Sequence, residues 1–397
     1  MTDGGHKPVI GLIMLGGGAR AAYQVGVLKA IADILPANIS NPFPVITGTS
    51  AGAINATALS VYAHRFREAV KRLNFVWRNF EVGQVFRADP WGVFVTGAHW
   101  LSALMLGGLG RRNPQALFDR APLRQLLQER MPCEGIQDMI DAGYLRALSI
   151  TCSGYSSGES VTFYQGVDSI VPWRRARRMG CATRITIDHL MASSAIPFIF
   201  RAERINREHF GDGSMHQMAP ISPALHLGAD RLLVIGVRQA NNSAPARPED
   251  SGPPSLAQIV GHVLNTIFLD SLDVDIERVH RINRTLEMIP PEQRREAGVP
   301  LRRVEVLMIS PSQNLEAIAA RHAHHMPRTV RFLLRGIGVH RRSGANLVSY
   351  LLFEKPYCRE LIDLGYADAM ARREEIERFF DLPAAEAATQ PPTAVSG

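Results

Sequence analysis

Three short segments of this sequence contain residues that could do chemistry together. The first is Gly48-Thr49-Ser50-Ala51-Gly52, which follows the apolar run Pro44-Val45-Ile46 and leads into a helix-forming stretch. Glycines on both sides of a serine allow a sharp bend and close approach of a substrate, while the first amides of the next helix favour negative charge. The pattern predicts that Ser50 is a nucleophile on a strand-to-helix turn, with Gly48 and Gly52 in support. An ordinary tight turn is the alternative.

The second segment is Leu15-Gly16-Gly17-Gly18-Ala19-Arg20, at the end of an apolar run and ahead of a helical pattern. Consecutive glycines leave backbone N–H groups unshielded, which suits an oxyanion or a phosphate. Gly16, Gly17 and Gly18 are therefore the candidate oxyanion donors. The glycines also fit a dinucleotide-binding fingerprint, but the second strand of that fold ends in an acidic residue that holds the ribose, and here it ends in Thr47-Gly48-Thr49-Ser50.

The third segment is Phe210-Gly211-Asp212-Gly213-Ser214, which follows a strand-like stretch. An aspartate between glycines is often a turn former that binds its own backbone. Beside a nucleophilic serine, the same residue could act as a base.

These segments occur in the order typical of the bacterial patatin-like phospholipases, which the chain resembles over roughly residues 8–240. That family has a glycine-rich loop with a basic residue, then G-x-S-x-G, then D-G-G or D-G-A. The family pattern also includes a run of small residues that ends in proline, as in Met191-Ala192-Ser193-Ser194-Ala195-Ile196-Pro197. Residues 361–366 resemble the family more weakly. Ala21 and Ser214 depart from the pattern, because many members carry glycine at the first position and glycine or alanine at the second.

The resemblance implies a lipid acyl hydrolase in which Asp212 contacts Ser50 directly, as a dyad without histidine. It implies Gly213 as a supporting residue and Arg20 as an anchor of the glycine loop, with contact to a headgroup phosphate as the alternative. Serine chemistry of this kind needs no cofactor and no metal. Because a free aspartate has a pKa of about 3.9, the site should be partly desolvated so that the pKa rises.

Two rival functions remain open at this stage. One is an α/β-hydrolase with a Ser-Asp-His triad, for which His216 or a later histidine could serve, although Ser50 comes after only two strands. The other is a catalytically silent membrane-docking scaffold with the same fold.

Strand-like and helical patterns alternate along the chain, which independently predicts an α/β fold with a mostly parallel sheet. With the resemblance, we expect a three-layer α/β/α catalytic domain over 1–240, an exposed loop over 241–254 and a helical C-terminal extension over 255–382 packed on that domain. Within the extension, 256–289 has a long amphipathic pattern, 303–309 has strand character and 346–380 is helical. Residues 383–397 are of low complexity and are expected to be disordered.

Composition agrees with one large enzyme, since 46% of the 397 residues are hydrophobic. The four cysteines have no paired or zinc-like spacing, and the N-terminus lacks the pattern of a secretory signal. We therefore expect a cytoplasmic location. Peripheral binding to the inner face of the cytoplasmic membrane is compatible with that location. The sequence does not predict an oligomeric state.

The net charge of +7 comes almost wholly from arginine, because only four of the 44 basic residues are lysines. Guanidinium groups suit phospholipid headgroups, so phospholipid or another acyl ester is the expected substrate and an anionic membrane the expected partner; codon bias is the other explanation. The dense basic run Trp173-Arg174-Arg175-Ala176-Arg177-Arg178 is expected to be a solvated loop, with Trp173 at a membrane interface as the alternative. Nucleic acid is not expected, because no recognised binding module accompanies the charge.

Two further segments invite a functional interpretation. Residues 91–110 contain no Asp, Glu, Lys or Arg, but they include five glycines. For this segment we favour a lid or interfacial loop over an acyl-chain pocket. Buried packing and a membrane span are the alternatives. The cluster Arg321-His322-Ala323-His324-His325 suggests a metal site, but no acidic or cysteine partner lies nearby in sequence, so a structural or surface role is expected.

Overall fold

A computed structural model of the protein describes residues 7–87, 116–239, 256–296, 298, 301–336 and 345–383. Three expectations fall on other parts of the chain. The lid segment 91–110, the loop 241–254 and the tail from residue 384 onwards lie outside the described residues.

A single sheet organises the fold. Its strands are β1 (Ile10–Met14), β2 (Val45–Thr49), β3 (Ala147–Gly154), β4 (Ser160–Gly166), β5 (Trp173–Arg175), β6 (Arg178–Ala182), β7 (Glu203–Ile205), β8 (Glu208–Asp212), β9 (Arg231–Ile235) and β10 (Glu305–Ile309). The path runs β10-β9-β1-β2-β3-β4-β6-β5, with β8 on β3 and β7 on β8. Its half from β10 to β3 is entirely parallel, while β4 and β8 are antiparallel to β3.

Helices pack on both faces of this sheet. They are α1 (Ala22–Ile34), α2 (Ala51–Val61), α3 (Phe66–Arg78), α4 (Ala121–Arg130), α5 (Gly135–Asp141), α6 (Ile187–Ser193), α7 (Ser222–His226), α8 (Leu256–Glu287), α9 (Pro291–Glu296), α10 (Leu315–His322), α11 (Arg328–Gly336), α12 (Ala345–Leu351), α13 (Lys355–Ala371) and α14 (Arg373–Phe379). Among the described residues, no helix combines the length and the apolar character that a membrane span needs.

Alternation along the central strands creates two apolar layers. Leu12 and Met14 of β1 join the large core under α1, α2, α3 and α13, whereas Ile13 faces the smaller core under α7 and α8. Successive strand residues point to opposite faces, so both faces of a buried parallel strand must be apolar. The result is the three-layer α/β/α arrangement with a mostly parallel sheet that the sequence predicted.

The C-terminal region is part of the same body. Strand β10 extends the sheet beside β9, which matches the strand character of 303–309. Helix α13, which contains the family-like residues 361–366, packs closely on α1: a β-carbon at Gly26 would lie 2.0 Å from the carbonyl oxygen of Ile362, and one at Gly365 would lie 2.2 Å from that of Tyr23. The region after 255 therefore supplies a strand as well as helices.

The basic run at 173–178 is exposed at Arg174, Arg175 and Arg177, as expected, but it is not a loop. Its first three residues form β5, which pairs with β6 at the edge of the sheet. The ring of Trp173 stacks between Tyr164 and His226, with centroids 5.2 and 4.7 Å away. These two rings cover the indole, so Trp173 is a packing residue rather than a membrane anchor, and the segment is a strand pair rather than a loop.

Candidate functional site

Ser50 occupies the junction between β2 and α2. Its backbone has φ 55° and ψ −128°, a conformation that side chains rarely adopt and that holds the serine at the tip of a sharp turn. Close backbone contacts surround the turn. A β-carbon at Gly52 would lie 2.3 Å from the Met14 carbonyl oxygen, and one at Gly48 would lie 2.5 Å from the Gly52 carbonyl oxygen. Glycine at both positions therefore has a steric reason.

Sheet register brings Asp212 next to Ser50. Thr49, the last residue of β2, pairs with Thr151 of β3, and Asp212, the last residue of β8, pairs with Cys152. Because β4 occupies the other edge of β3 along its length, β8 continues on the edge where β2 ends. Gly213 sits at this corner, where a β-carbon would lie 2.0 Å from the Thr151 carbonyl oxygen.

The carboxyl group of Asp212 is completely buried, which raises its pKa from 3.8 to about 6. The hydroxyl of Ser50, the amide and hydroxyl of Ser214 and the charge of Arg120 oppose this rise. The Ser214 amide donates to Oδ1 at 3.0 Å. Among the described residues, the other oxygen, Oδ2, has no partner at standard hydrogen-bond geometry, so it retains the capacity to accept a proton.

The small-residue run before Asp212 holds both residues of this pair. Ser193 accepts a hydrogen bond from the Ser50 amide at 2.9 Å and donates to the Thr151 carbonyl at 2.7 Å. The Asp212 amide donates to the carbonyl of Ala195 at 2.9 Å. The sequence singled out this run as family-like without predicting these roles; its two adjacent serines close to the aspartate were the available signal.

The glycine loop lies on the same side of the sheet, after β1. Gly18 has φ +55°, and a β-carbon there would lie 2.2 Å from the Tyr350 carbonyl oxygen. Gly16 and Gly17 are also buried, and the Arg20 amide donates to the Gly17 carbonyl at 3.1 Å. Both Gly18 and Ser50 border one cavity, so the loop and the serine face a common space.

Arg20 ties this loop to the C-terminal region. It is 1% exposed, and its guanidinium donates to Ser349 Oγ at 2.8 Å, to Asn346 Oδ1 at 2.7 Å and to Glu316 Oε1 at 3.3 Å. The guanidinium carbon also lies 4.3 Å from the ring centroid of Tyr350. These contacts occupy the side chain inside the protein rather than at a headgroup.

No histidine ring in the described parts of the chain hydrogen-bonds to Ser50 or Asp212. His216 is half-buried, and its backbone amide donates to Ser153 Oγ at 3.2 Å, while its ring atom Nδ1 has no partner among those residues. His209 is exposed on β8. The arrangement around Ser50 therefore contains a carboxyl group where a triad would have an imidazole.

A cavity of about 730 Å³ extends from Ser50 and Gly18. One face of α2, with Ile54 and Ala58, forms a wall of it, and Tyr62, which directly follows the helix, continues this wall at the same interval of four residues. Since a helix rises 1.5 Å per residue, this wall runs for about 18 Å from Ser50 to Tyr62.

Most of the facing wall is apolar as well. It includes Leu73, Val76, Trp77, Phe80, Leu127 and Phe353. Charged residues of α3 and α4 also line the cavity, and one of them, Arg72, lies 4.6 Å from the ring centroid of Tyr62. Arg72 and Tyr62 therefore lie at the end of the cavity that is farthest from Ser50 along the helix. The shape and chemistry suit a long apolar chain whose reactive end reaches the serine.

The histidine cluster has an acidic partner that is distant in sequence. His322 Nε2 lies 2.5 Å from Glu360 Oε2, and Arg321 pairs with the same carboxylate. Within the described residues, no group of three or more His, Cys, Asp or Glu side chains could hold a metal ion. The residues present offer no site for one there.

Comparison with known proteins gives one family. A family model described as "Patatin-like phospholipase" matches residues 12–225. No curated protein matches the sequence.

Several solved structures are similar to the chain at low identity. VipD from Legionella pneumophila is 12% identical with a TM-score of 0.34, covering 93% of this chain and 67% of its own. Human GIVD cytosolic phospholipase A2, solved with methyl gamma-linolenyl fluorophosphonate, is 12% identical with a TM-score of 0.42, covering 94% of this chain. ExoU in complex with SpcU from Pseudomonas aeruginosa is 15% identical with a TM-score of 0.21, covering 40% of this chain. The matches span 58% of the human chain and 35% of the ExoU–SpcU chain.

Proposed function

Because this chain belongs to the patatin-like phospholipase family, we propose that it hydrolyses acyl esters of lipids with Ser50 as nucleophile and Asp212 as base. One observation carries the proposal: a serine on a strained strand-to-helix turn lies beside a buried carboxyl group whose pKa is raised to about 6. A base with a pKa near the working pH both ionises and accepts a proton efficiently. The family membership supports lipid acyl hydrolysis, and the site chemistry supports these two roles.

In the first half-reaction, Ser50 Oγ attacks the ester carbonyl carbon while Asp212 takes the hydroxyl proton. The C–O bond to the alcohol then breaks, and that proton passes to the leaving oxygen. In the second half-reaction, water attacks the acyl-serine in the same way and releases the fatty acid. N–H groups of Gly16, Gly17 and Gly18 are proposed to stabilise the oxyanion, at about 3 kcal/mol for a well-placed donor.

The proposed substrate is a long-chain acyl ester, such as a phospholipid or a lysophospholipid. The apolar cavity along α2 supports this substrate class, because it can bury an acyl chain whose carbonyl lies at Ser50. The proposal also includes contact with anionic membrane surfaces, and a cytoplasmic site of action on them. A net charge of +7 and the exposed guanidinium groups of Arg174, Arg175 and Arg177 support that contact.

Substitution of the serine tests the assignment. Ser50→Ala should abolish hydrolysis of p-nitrophenyl esters and of phospholipid in mixed micelles, because the nucleophilic oxygen is gone. A fluorophosphonate probe should label wild-type protein at Ser50, as located by peptide mass spectrometry. The exposed Ser156→Ala is the matched control and should keep wild-type activity.

More than a few per cent of wild-type turnover in folded Ser50→Ala protein would contradict the assignment. So would labelling at a different serine. An unlabelled and inactive wild-type protein would instead favour a scaffold role for this fold.

A further inference from the structure

Arg120 is a buried arginine to which the proposed chemistry gives no role. It directly precedes α4 and is 5% exposed. Its Nη1 donates to the Met191 carbonyl at 2.8 Å and to Ser194 Oγ at 3.2 Å, and its Nη2 donates to the Arg201 carbonyl at 2.8 Å. One guanidinium group therefore bonds to both ends of the segment 191–201.

The same segment holds the backbone of both reactive residues. Ser193 Oγ accepts from the Ser50 amide, and the Ala195 carbonyl accepts from the Asp212 amide, each at 2.9 Å. The adjacent serines act in opposite directions, since Ser193 bonds toward Ser50 and Ser194 bonds toward Arg120. A displacement of this segment would therefore move both members of the pair.

An outer layer of charges holds Arg120 itself. Glu203 Oε1 lies 3.4 Å from its Nη2, and the other oxygen of Glu203 accepts from Arg124 Nη2 at 2.9 Å. Arg124 in turn donates to Asp188 Oδ1 at 2.5 Å. Arg124 is only partly buried, so it provides a comparison that shares the network without reaching the reactive pair.

Electrostatics give Arg120 a second link to the base. The Asp212 carboxyl interacts with Arg120, Cys152, Tyr155 and Tyr350. Burial raises the pKa of the cysteine and of both tyrosines, so these three are neutral at pH 7. Burial lowers the pKa of Arg120 to about 10, which leaves it charged at pH 7. Arg120 is therefore a cation that acts on the carboxyl.

We propose that Arg120 is a positioning residue for the Ser50–Asp212 pair, which it aligns through the segment 191–201. Its charge adds a second effect on the base, because it favours the ionised carboxylate. This inference rests on the proposed function. It extends that function to a residue outside the motifs, 70 positions from Ser50.

Two substitutions separate alignment from charge. Arg120→Gln removes the cation and most of the hydrogen bonds, whereas Arg120→Lys keeps the cation but cannot make the same fork of bonds. Activity on a short-chain soluble ester is measured from pH 4.5 to 8.5 and divided by the number of sites that a fluorophosphonate titrates. Arg124→Gln is the matched control.

For Arg120→Gln we expect kcat per titrated site to fall by at least about tenfold, with KM changed by less than about twofold. The acidic limb of its pH profile should move to higher pH, because loss of the cation disfavours the ionised carboxylate. Arg120→Lys should leave that limb in place and recover part of kcat. Arg124→Gln should stay within about twofold of wild type in kcat and keep the limb unchanged.

Unchanged kcat per titrated site in Arg120→Gln would overturn the inference, as would a fall in kcat with an unmoved acidic limb. If Arg120→Gln fails to fold, Arg120→Lys becomes the test of the inference. A wild-type kcat in Arg120→Lys would overturn the alignment role of Arg120. A lower kcat with an unmoved acidic limb of the pH profile would support that role. These outcomes are distinct from failure of the proposed function, in which the wild-type protein itself would be inactive and unlabelled.

Discussion

At the residue scale, the proposed chemistry depends on a carboxyl group that must ionise inside a dry pocket. Complete burial of Asp212 disfavours its charge, while Ser50, Ser214 and Arg120 favour it, and the balance brings the pKa to about 6. Ser214 has a larger part in this than its position in the sequence suggested. It departs from the family pattern, yet both its amide and its hydroxyl stabilise the carboxylate.

The raised pKa of Asp212 predicts the pH dependence of the reaction. Only the ionised carboxylate can accept the Ser50 proton, so kcat/KM should fall as the pH drops through about 6. At pH 5 it should be about tenfold below its plateau. Product chromatography after hydrolysis of a short-chain ester measures this without relying on a pH-sensitive dye. A profile that stays flat between pH 5 and pH 8 would contradict the role of Asp212.

At the element scale, helix α2 has two roles, one at its start and one along its face. Its start forms the turn that presents Ser50, and its face at Ile54 and Ala58 forms a wall of the cavity that Tyr62 continues. In the proposed function, the same helix therefore sets both the position of the nucleophilic serine and the direction of the acyl chain.

Narrowing the cavity on α2 should change the preferred chain length. Ala58→Phe adds a ring to the cavity wall, so kcat/KM for a palmitoyl ester should fall about tenfold or more relative to a butyryl ester. The matched control is Ala142→Phe, which adds the same ring at an exposed position. The comparison uses p-nitrophenyl esters of both lengths on all three proteins. Equal losses for the two chain lengths would mean that the acyl chain lies elsewhere.

Turns near the motifs could be predicted from the sequence more readily than contacts between residues that are far apart along the chain. The turn at Ser50 and the corner at Asp212 depend on local glycines, so their patterns predicted them. The packing of Trp173 was missed because the rings that cover it come from positions 164 and 226. The roles of Ser193 and Arg120 were missed for the same reason, since each contacts partners about 40 to 140 residues away.

At the scale of the whole molecule, the N-terminal and C-terminal regions meet at the glycine loop of the candidate site. Arg20 joins the glycine loop to Glu316, Asn346 and Ser349, and β10 extends the sheet that carries the loop. The sequence suggested an extension packed on a catalytic domain. It could not show that the extension supplies the partners of Arg20, because such contacts span about 300 residues.

The overall positive charge predicts salt-dependent binding to lipid surfaces. Sedimentation with vesicles that contain an anionic phospholipid should weaken as salt rises, because exposed charges are screened beyond about 8 Å at physiological ionic strength. The double change Arg175→Glu with Arg177→Glu should weaken it further, since both side chains are exposed. Arg281→Glu with Arg284→Glu on α8 matches this change in charge at two other exposed positions. Equal binding to neutral and anionic vesicles would contradict the electrostatic contact.

The central claim is that Ser50 and Asp212 form a dyad, and steady-state kinetics of four single variants and one double variant test it most directly. Ser50→Ala and Asp212→Asn should each lower kcat by roughly a thousandfold or more, and the double variant should be no worse than either, because the two residues act as a unit. His209→Ala and His216→Ala should keep most of the activity. A folded Asp212→Asn protein with substantial turnover, or a folded histidine variant as inactive as Ser50→Ala, would contradict the dyad.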